Sequence, residues 1–130
     1  MSDVEALSSA KLPRPRFRYS PLIRAGDFYK TAGMVALSPE TGSLESGGAG
    51  AETARILANL VAALPDFGLT LDHLVGATIF TTDFERFPQI NEAWNQVFTD
   101  EQRPPARTAV GVSRLPLNAT VEMEFLFYKR

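Results

Sequence analysis

Two side chains stand out for the chemistry they could do together. Arg107 offers a planar guanidinium, which grips a carboxylate through paired hydrogen bonds. Glu122 offers a carboxylate that can hold or move a proton at an attacking water or a leaving group. In residues 119–128 the side chains alternate, with Val121, Met123, Phe125 and Phe127 on one face and Glu122 and Glu124 on the other. In residues 107–113, Val110 and Val112 are expected on the packed side, which places Arg107, Ala109 and Gly111 on the face of Glu122. Both an interfacial ion pair and a carboxylate-binding pocket fit that arrangement. Residue types alone leave both open.

The rest of the inventory is sparse. The chain has 130 residues, one His and no Cys, so a catalytic thiol, a disulfide framework and a thiolate metal site are excluded. A single His cannot build a multi-histidine zinc site, and no metal or cofactor is expected. His73 follows Asp72 at a helix-to-strand junction and reads as structural. Tyr19, Ser20 and Thr31 lie in no nucleophile motif, so covalent catalysis is not favoured. The Ser46–Gly50 run SGGAG is followed by Ala51-Glu52 rather than the Lys-Ser/Thr of a phosphate loop.

Charge and hydropathy narrow the partners. Thirteen Lys plus Arg against 15 Asp plus Glu leave a net charge of −2. Lys11, Arg14, Arg16 and Arg18 form a small basic cluster, but RNA needs a wider cationic track, and nucleic acid is disfavoured as a partner. Neither a secretory signal nor a long apolar span stands in the sequence, so a cytoplasmic protein with no membrane partner is expected.

These candidates must be positioned by a small set of elements. Residues 1–15 are polar and broken by Pro13 and Pro15, and read as a flexible arm; residues 16–130 read as a single domain. Strand signals start near Phe17 and recur from Phe28 to Leu37. Leu57, Leu60, Val61 and Leu64 form an apolar stripe in a helix from about Ala51 to Leu64, closed by Pro65 and Gly68. Leu74–Thr82 reads as a strand covered on both faces. A second helix starts near Pro88 with Ile90, Ala93, Trp94, Val97 and Phe98 on its stripe, Trp94 being a core anchor. Two strands, about Arg107–Ser113 and Ala119–Tyr128, close the chain. The order β-β-α-β-α-β-β implies an α+β sheet with two helices on one face. The other face needs a cover, and a second subunit is the economical one.

Several of these segments resemble the RidA/YjgF family, also called L-PSP endoribonuclease-like. Residues 103–112 (RPPARTAVGV), Leu115-Pro116 and Ala119–Glu124 (ATVEME) are similar to its C-terminal signature. Tyr19-Ser20, Arg24–Asp27, Ala32-Gly33, Thr82-Asp83 and Ile90–Glu92 match further family positions. The resemblance implies a chorismate-mutase-like fold, a homotrimer with clefts between subunits, and cofactor-independent hydrolysis of 2-imino acids to 2-oxo acids and ammonia. By position, Arg107 would bind the substrate carboxylate and Glu122 would activate water and protonate ammonia. Tyr19, Ala32, Gly33, Asn91 and Ala109 would shape the pocket. The chain departs from the pattern at Ala32, where a serine is common, at Ala109, where a serine or thiol is common, and at Phe17-Arg18, where Gly-Pro is usual. Those losses keep a non-catalytic, carboxylate-binding or regulatory role as the alternative, and a ribonuclease activity is less favoured.

Overall fold

A computed structural model describes residues 3–130. One mixed sheet of seven strands carries two helices. The strands are β1 (Val4–Leu7), β2 (Leu22–Ala25), β3 (Phe28–Thr31), β4 (Met34–Val35), β5 (Leu74–Thr81), β6 (Ala106–Gly111) and β7 (Val121–Tyr128). The helices are α1 (Ala49–Ala63) and α2 (Phe87–Val97). The sheet order is β1-β2-β3-β7-β5-β6, with β4 also pairing β7; only β5 and β6 run parallel. This is the expected α+β architecture, with one strand more at the start and the third and fourth strands separated at Ala32-Gly33.

β7 is central, and its alternation is complete. Val121, Met123, Phe125 and Phe127 are all buried against the helices, while Glu122 and Glu124 point to the opposite face. The core continues through Ile56, Leu57 and Leu60 of α1 and through Ile90 and Trp94 of α2. Val61, expected on the α1 stripe, is 41% exposed instead. Ile56 and Ala63 complete the buried face, since a stripe drawn one residue off the contact line turns toward solvent.

Two expectations near the N-terminus are corrected. The segment read as a flexible arm supplies β1, which pairs with β2 from Val4↔Ala25 to Leu7↔Leu22; residues 1 and 2 of that segment lie outside the described residues. An edge strand held by backbone pairing and an exposed Arg24–Glu5 ion pair buries little apolar surface, so it leaves no periodicity to read. Phe17 is not in a strand; it sits in a loop, and pairing resumes at Leu22, just past Pro21, which has no N–H to donate.

One buried carboxylate fixes where β7 begins. Glu52, in the first turn of α1, is 3% exposed. The backbone N–H groups of Thr120 and Val121 donate to its Oε1 at 2.8 and 3.1 Å. The helix N-terminus also favours a negative charge there. Glu52→Ala orphans two donors, and we expect a loss of about 3 kcal/mol in urea unfolding. A change below about 0.5 kcal/mol would count against this anchoring.

Candidate active site

Glu122 lies on the face of the sheet away from the helices, in a cleft of about 250 Å³. Tyr19, Ala32 and Gly33 line the same cleft, so four of the seven residues expected at the site come together there. The turn between β3 and β4 brings Gly33 against the carboxylate so closely that a Cβ at Gly33 would sit 2.6 Å from Glu122 Oε2. Only glycine leaves room for that approach. Leu117 lines the cleft from the turn before β7, where it and Asn118 hold left-handed backbone angles (φ 60° and 59°).

Arg107 is elsewhere, and the expectation that it shares the face of Glu122 is corrected. Arg107 pairs with Ala77, and Ala77 pairs with Phe125, a core residue; Glu122 pairs with Phe80, and Phe80 with Val110. Directly opposed residues share a face. Arg107 and Ala109 therefore lie on the helix side, and Val110, 38% exposed, on the side of Glu122. The small residues are on the packed side because that edge is already filled: Phe84 lies against Gly111, and Ala109 packs on the core. Within one chain the two central candidates stand on opposite faces of the sheet.

α2 builds the surroundings of Arg107. Its Nη2 donates to Asn91 Oδ1 at 2.8 Å, and its guanidinium carbon lies 5.0 Å from the Trp94 ring centroid and 5.5 Å from that of Phe87. Both contacts are cation–π geometry. Trp94 is buried and stacks on Phe98, so it is a core anchor that also carries the arginine. Sequence reasoning missed that second role, although the spacing of Asn91 and Trp94, one helical turn apart, signals a shared face. Burial lowers the Arg107 pKa from its ordinary value. Arg107, Asn91 and Trp94 line a second, shallower depression with Pro104 and Pro105. His73 has the structural role expected: its Nδ1 accepts from Thr70 N–H at 2.9 Å and caps a short turn before β5.

The electrostatics of Glu122 suit proton transfer. Burial, and secondarily the neighbouring Glu124, raise its pKa above the ordinary carboxylate value. Glu124 itself pairs with Lys30 at 3.1 Å, while the Glu122 carboxylate accepts no hydrogen bond among the described residues. No group of three or more metal-ligating side chains occurs among the described residues, and none of their helices is long and apolar enough to cross a membrane.

The chain has clear relatives. Residues 9–128 match the family model described as Endoribonuclease L-PSP. A RutC family protein of Pyrococcus abyssi is 36% identical over 125 residues, 96% of this chain and 97% of its own. A 2-iminobutanoate/2-iminopropanoate deaminase of Dermatophagoides farinae is 31% identical over 125 residues, 95% of each chain. The crystal structure of E. coli TdcF with bound serine has a TM-score of 0.90 and 25% identity, over 97% of this chain and 99% of that one.

The raised pKa of Glu122 has a thermodynamic consequence. A carboxyl whose folded pKa exceeds its unfolded value contributes stability that is full below the unfolded pKa, about 4.3. That contribution is lost as pH rises through the folded pKa. Glu122→Gln removes the loss, so the variant should match wild type in urea midpoint at acid pH and exceed it at pH 7. A lower midpoint at pH 7 would contradict the direction of the shift.

Proposed function

The chain belongs to the endoribonuclease L-PSP family, the RidA/YjgF group, and we propose that within it this protein is a cofactor-independent 2-imino acid deaminase. The working unit is a homotrimer in which the Glu122 cleft of one subunit receives the partner's Arg107. The observation that carries this reading is the separation of Arg107 and Glu122 onto opposite faces of one sheet. Each half of the site lacks what the other has, and a second copy supplies it. The named activity of the Dermatophagoides farinae relative and the bound serine of TdcF, an amino acid carboxylate, support the substrate class.

The chemistry asks little of the protein. A protonated imine is already electrophilic at carbon, so no metal or covalent nucleophile is needed. The partner's Arg107, preset by Asn91 and the Trp94 ring, takes the substrate carboxylate through paired hydrogen bonds. Tyr19 and the backbone at Ala32-Gly33 wall the cleft, and Ala109 leaves the arginine room. The Glu122 carboxylate accepts a proton from water as the water oxygen bonds to the imine carbon. The C=N double bond becomes single, giving a carbinolamine. Glu122 then returns the proton to nitrogen. Glu122 takes the hydroxyl proton as the C–N bond breaks, which releases the 2-oxo acid and ammonia. That proton then passes to the ammonia, which leaves as ammonium, and the carboxylate is regenerated.

A second reading, carboxylate binding without turnover, is favoured by Ala32 and Ala109, which present no hydroxyl or thiol. One set of assays separates the two. The purified protein should accelerate ammonia release from an imino acid generated in the cuvette by an amino acid oxidase. Glu122→Gln should lower kcat by ~10²–10⁴-fold. Arg107→Ala should raise KM by about 10- to 100-fold. Equal rates for wild type and both variants would overturn the deaminase reading. Binding of 2-oxobutanoate in calorimetry with no turnover would establish the second.

A further inference from the structure

The cleft that holds Glu122 is lined by two side chains that the hydrolysis does not use, Arg14 and Arg16. They stand on a Pro-Arg-Pro-Arg segment, residues 13–16, that is pinned at both ends. At one end Leu12 is buried in the core, Ser9 Oγ donates to Asp66 Oδ2 at 2.6 Å, and Lys11 Nζ lies 3.6 Å from Asp66. At the other the Arg16 guanidinium donates to the Gly42 carbonyl. Between them Pro13 and Pro15 flank Arg14 and fix φ on both sides of it. The strap is stiff, so its arginines are held where they are rather than swept through solvent.

Their charge is not neutralised. Among the described residues neither Arg14 nor Arg16 forms an ion pair, whereas Lys11 on the same strap does. Glu122 does not serve as their counter-ion: the groups that act on its proton affinity are its own burial and Glu124, with no cation among them. The rest of the lining around the strap is apolar, from Leu12, Pro13, Phe17 and Leu117. Apolar walls strengthen the attraction of a guanidinium for an anion. Arg107 already accounts for the carboxylate that every 2-imino acid carries. Two cations are left over in a cleft with one carboxylate.

We infer that Arg14 and Arg16 bind a second carboxylate, at the far end of the substrate, so that the preferred substrate is a 2-imino dicarboxylate. The inference rests on the deaminase reading above and narrows its substrate class. The second carboxylate takes no part in bond making; it adds a charge-assisted anchor and orients the imine carbon toward Glu122.

The test compares the imines of glutamate and of 2-aminobutanoate, each generated by an oxidase, with wild type and an Arg14→Gln/Arg16→Gln double variant. Wild type should favour the dicarboxylate in kcat/KM by about 10-fold or more. The double variant should lose that preference, with its fold checked by circular dichroism. A ratio that is the same in wild type and variant, or a wild type that prefers the monocarboxylate, overturns the inference while leaving the deaminase reading in place. Should neither imine turn over, the deaminase reading falls. Calorimetry with 2-oxoglutarate and 2-oxobutanoate then decides this inference alone: tighter 2-oxoglutarate binding that the double variant abolishes supports it, and equal binding overturns it.

Discussion

The pleat of β7 is the constraint on which the rest depends. A strand paired on both edges cannot turn a single side chain without turning all of them. Burying Val121, Met123, Phe125 and Phe127 under the helices therefore forces Glu122 and Glu124 onto the opposite face. Two devices outside the strand hold that parity. Glu52 reaches from α1 to the N–H groups that open β7, and Thr31 Oγ1 accepts from Phe125 N–H at 3.0 Å further along. Gly33 then closes on the carboxylate from the neighbouring turn. A structural acid in a helix thus sets the position of a candidate functional acid on the far side of the sheet.

The same pleat, carried across β5 to β6, decides the fate of Arg107. It belongs to the core-side set, yet it sits on the edge strand, where the helix layer thins to Asn91, Trp94 and Phe87. The guanidinium lies over the Trp94 and Phe87 rings and is tied to Asn91, contacts that give it a fixed place. The arrangement also explains how a chain with no Cys and one His can be an enzyme candidate at all. The demand falls on two charged groups and on their placement.

Legibility in the sequence followed the size of the apolar signal. β7 has four large apolar residues at strict alternation, and its faces were readable residue by residue. The helices were readable to within two residues at their starts, for the same reason. β6 offered Ala109 and Gly111 on one face and Val110 on the other, and valine reads as the buried choice. The structure reverses this because Phe84 and α2 leave only a small residue's room on the packed side. β1 was invisible because backbone pairing at a sheet edge needs no apolar pattern. The distribution of the candidate site residues between the two faces of the sheet was not legible. The Pro-Arg-Pro-Arg strap read as a solvated basic cluster, since nothing local shows that Leu12 and Gly42 tie it over a cleft.

The central claim is that each site takes Glu122 from one subunit and Arg107 from another, and mixing inactive variants tests it most directly. Arg107→Ala and Glu122→Gln chains, each strongly impaired alone at substrate well below the wild-type KM, are unfolded together, refolded at equal concentration and assayed under that condition for ammonia release from a 2-imino acid. If sites form between neighbours in a ring, about one site in four regains both side chains, and activity returns to roughly a quarter of wild type. A refolded mixture as inactive as its two parents would contradict a shared site.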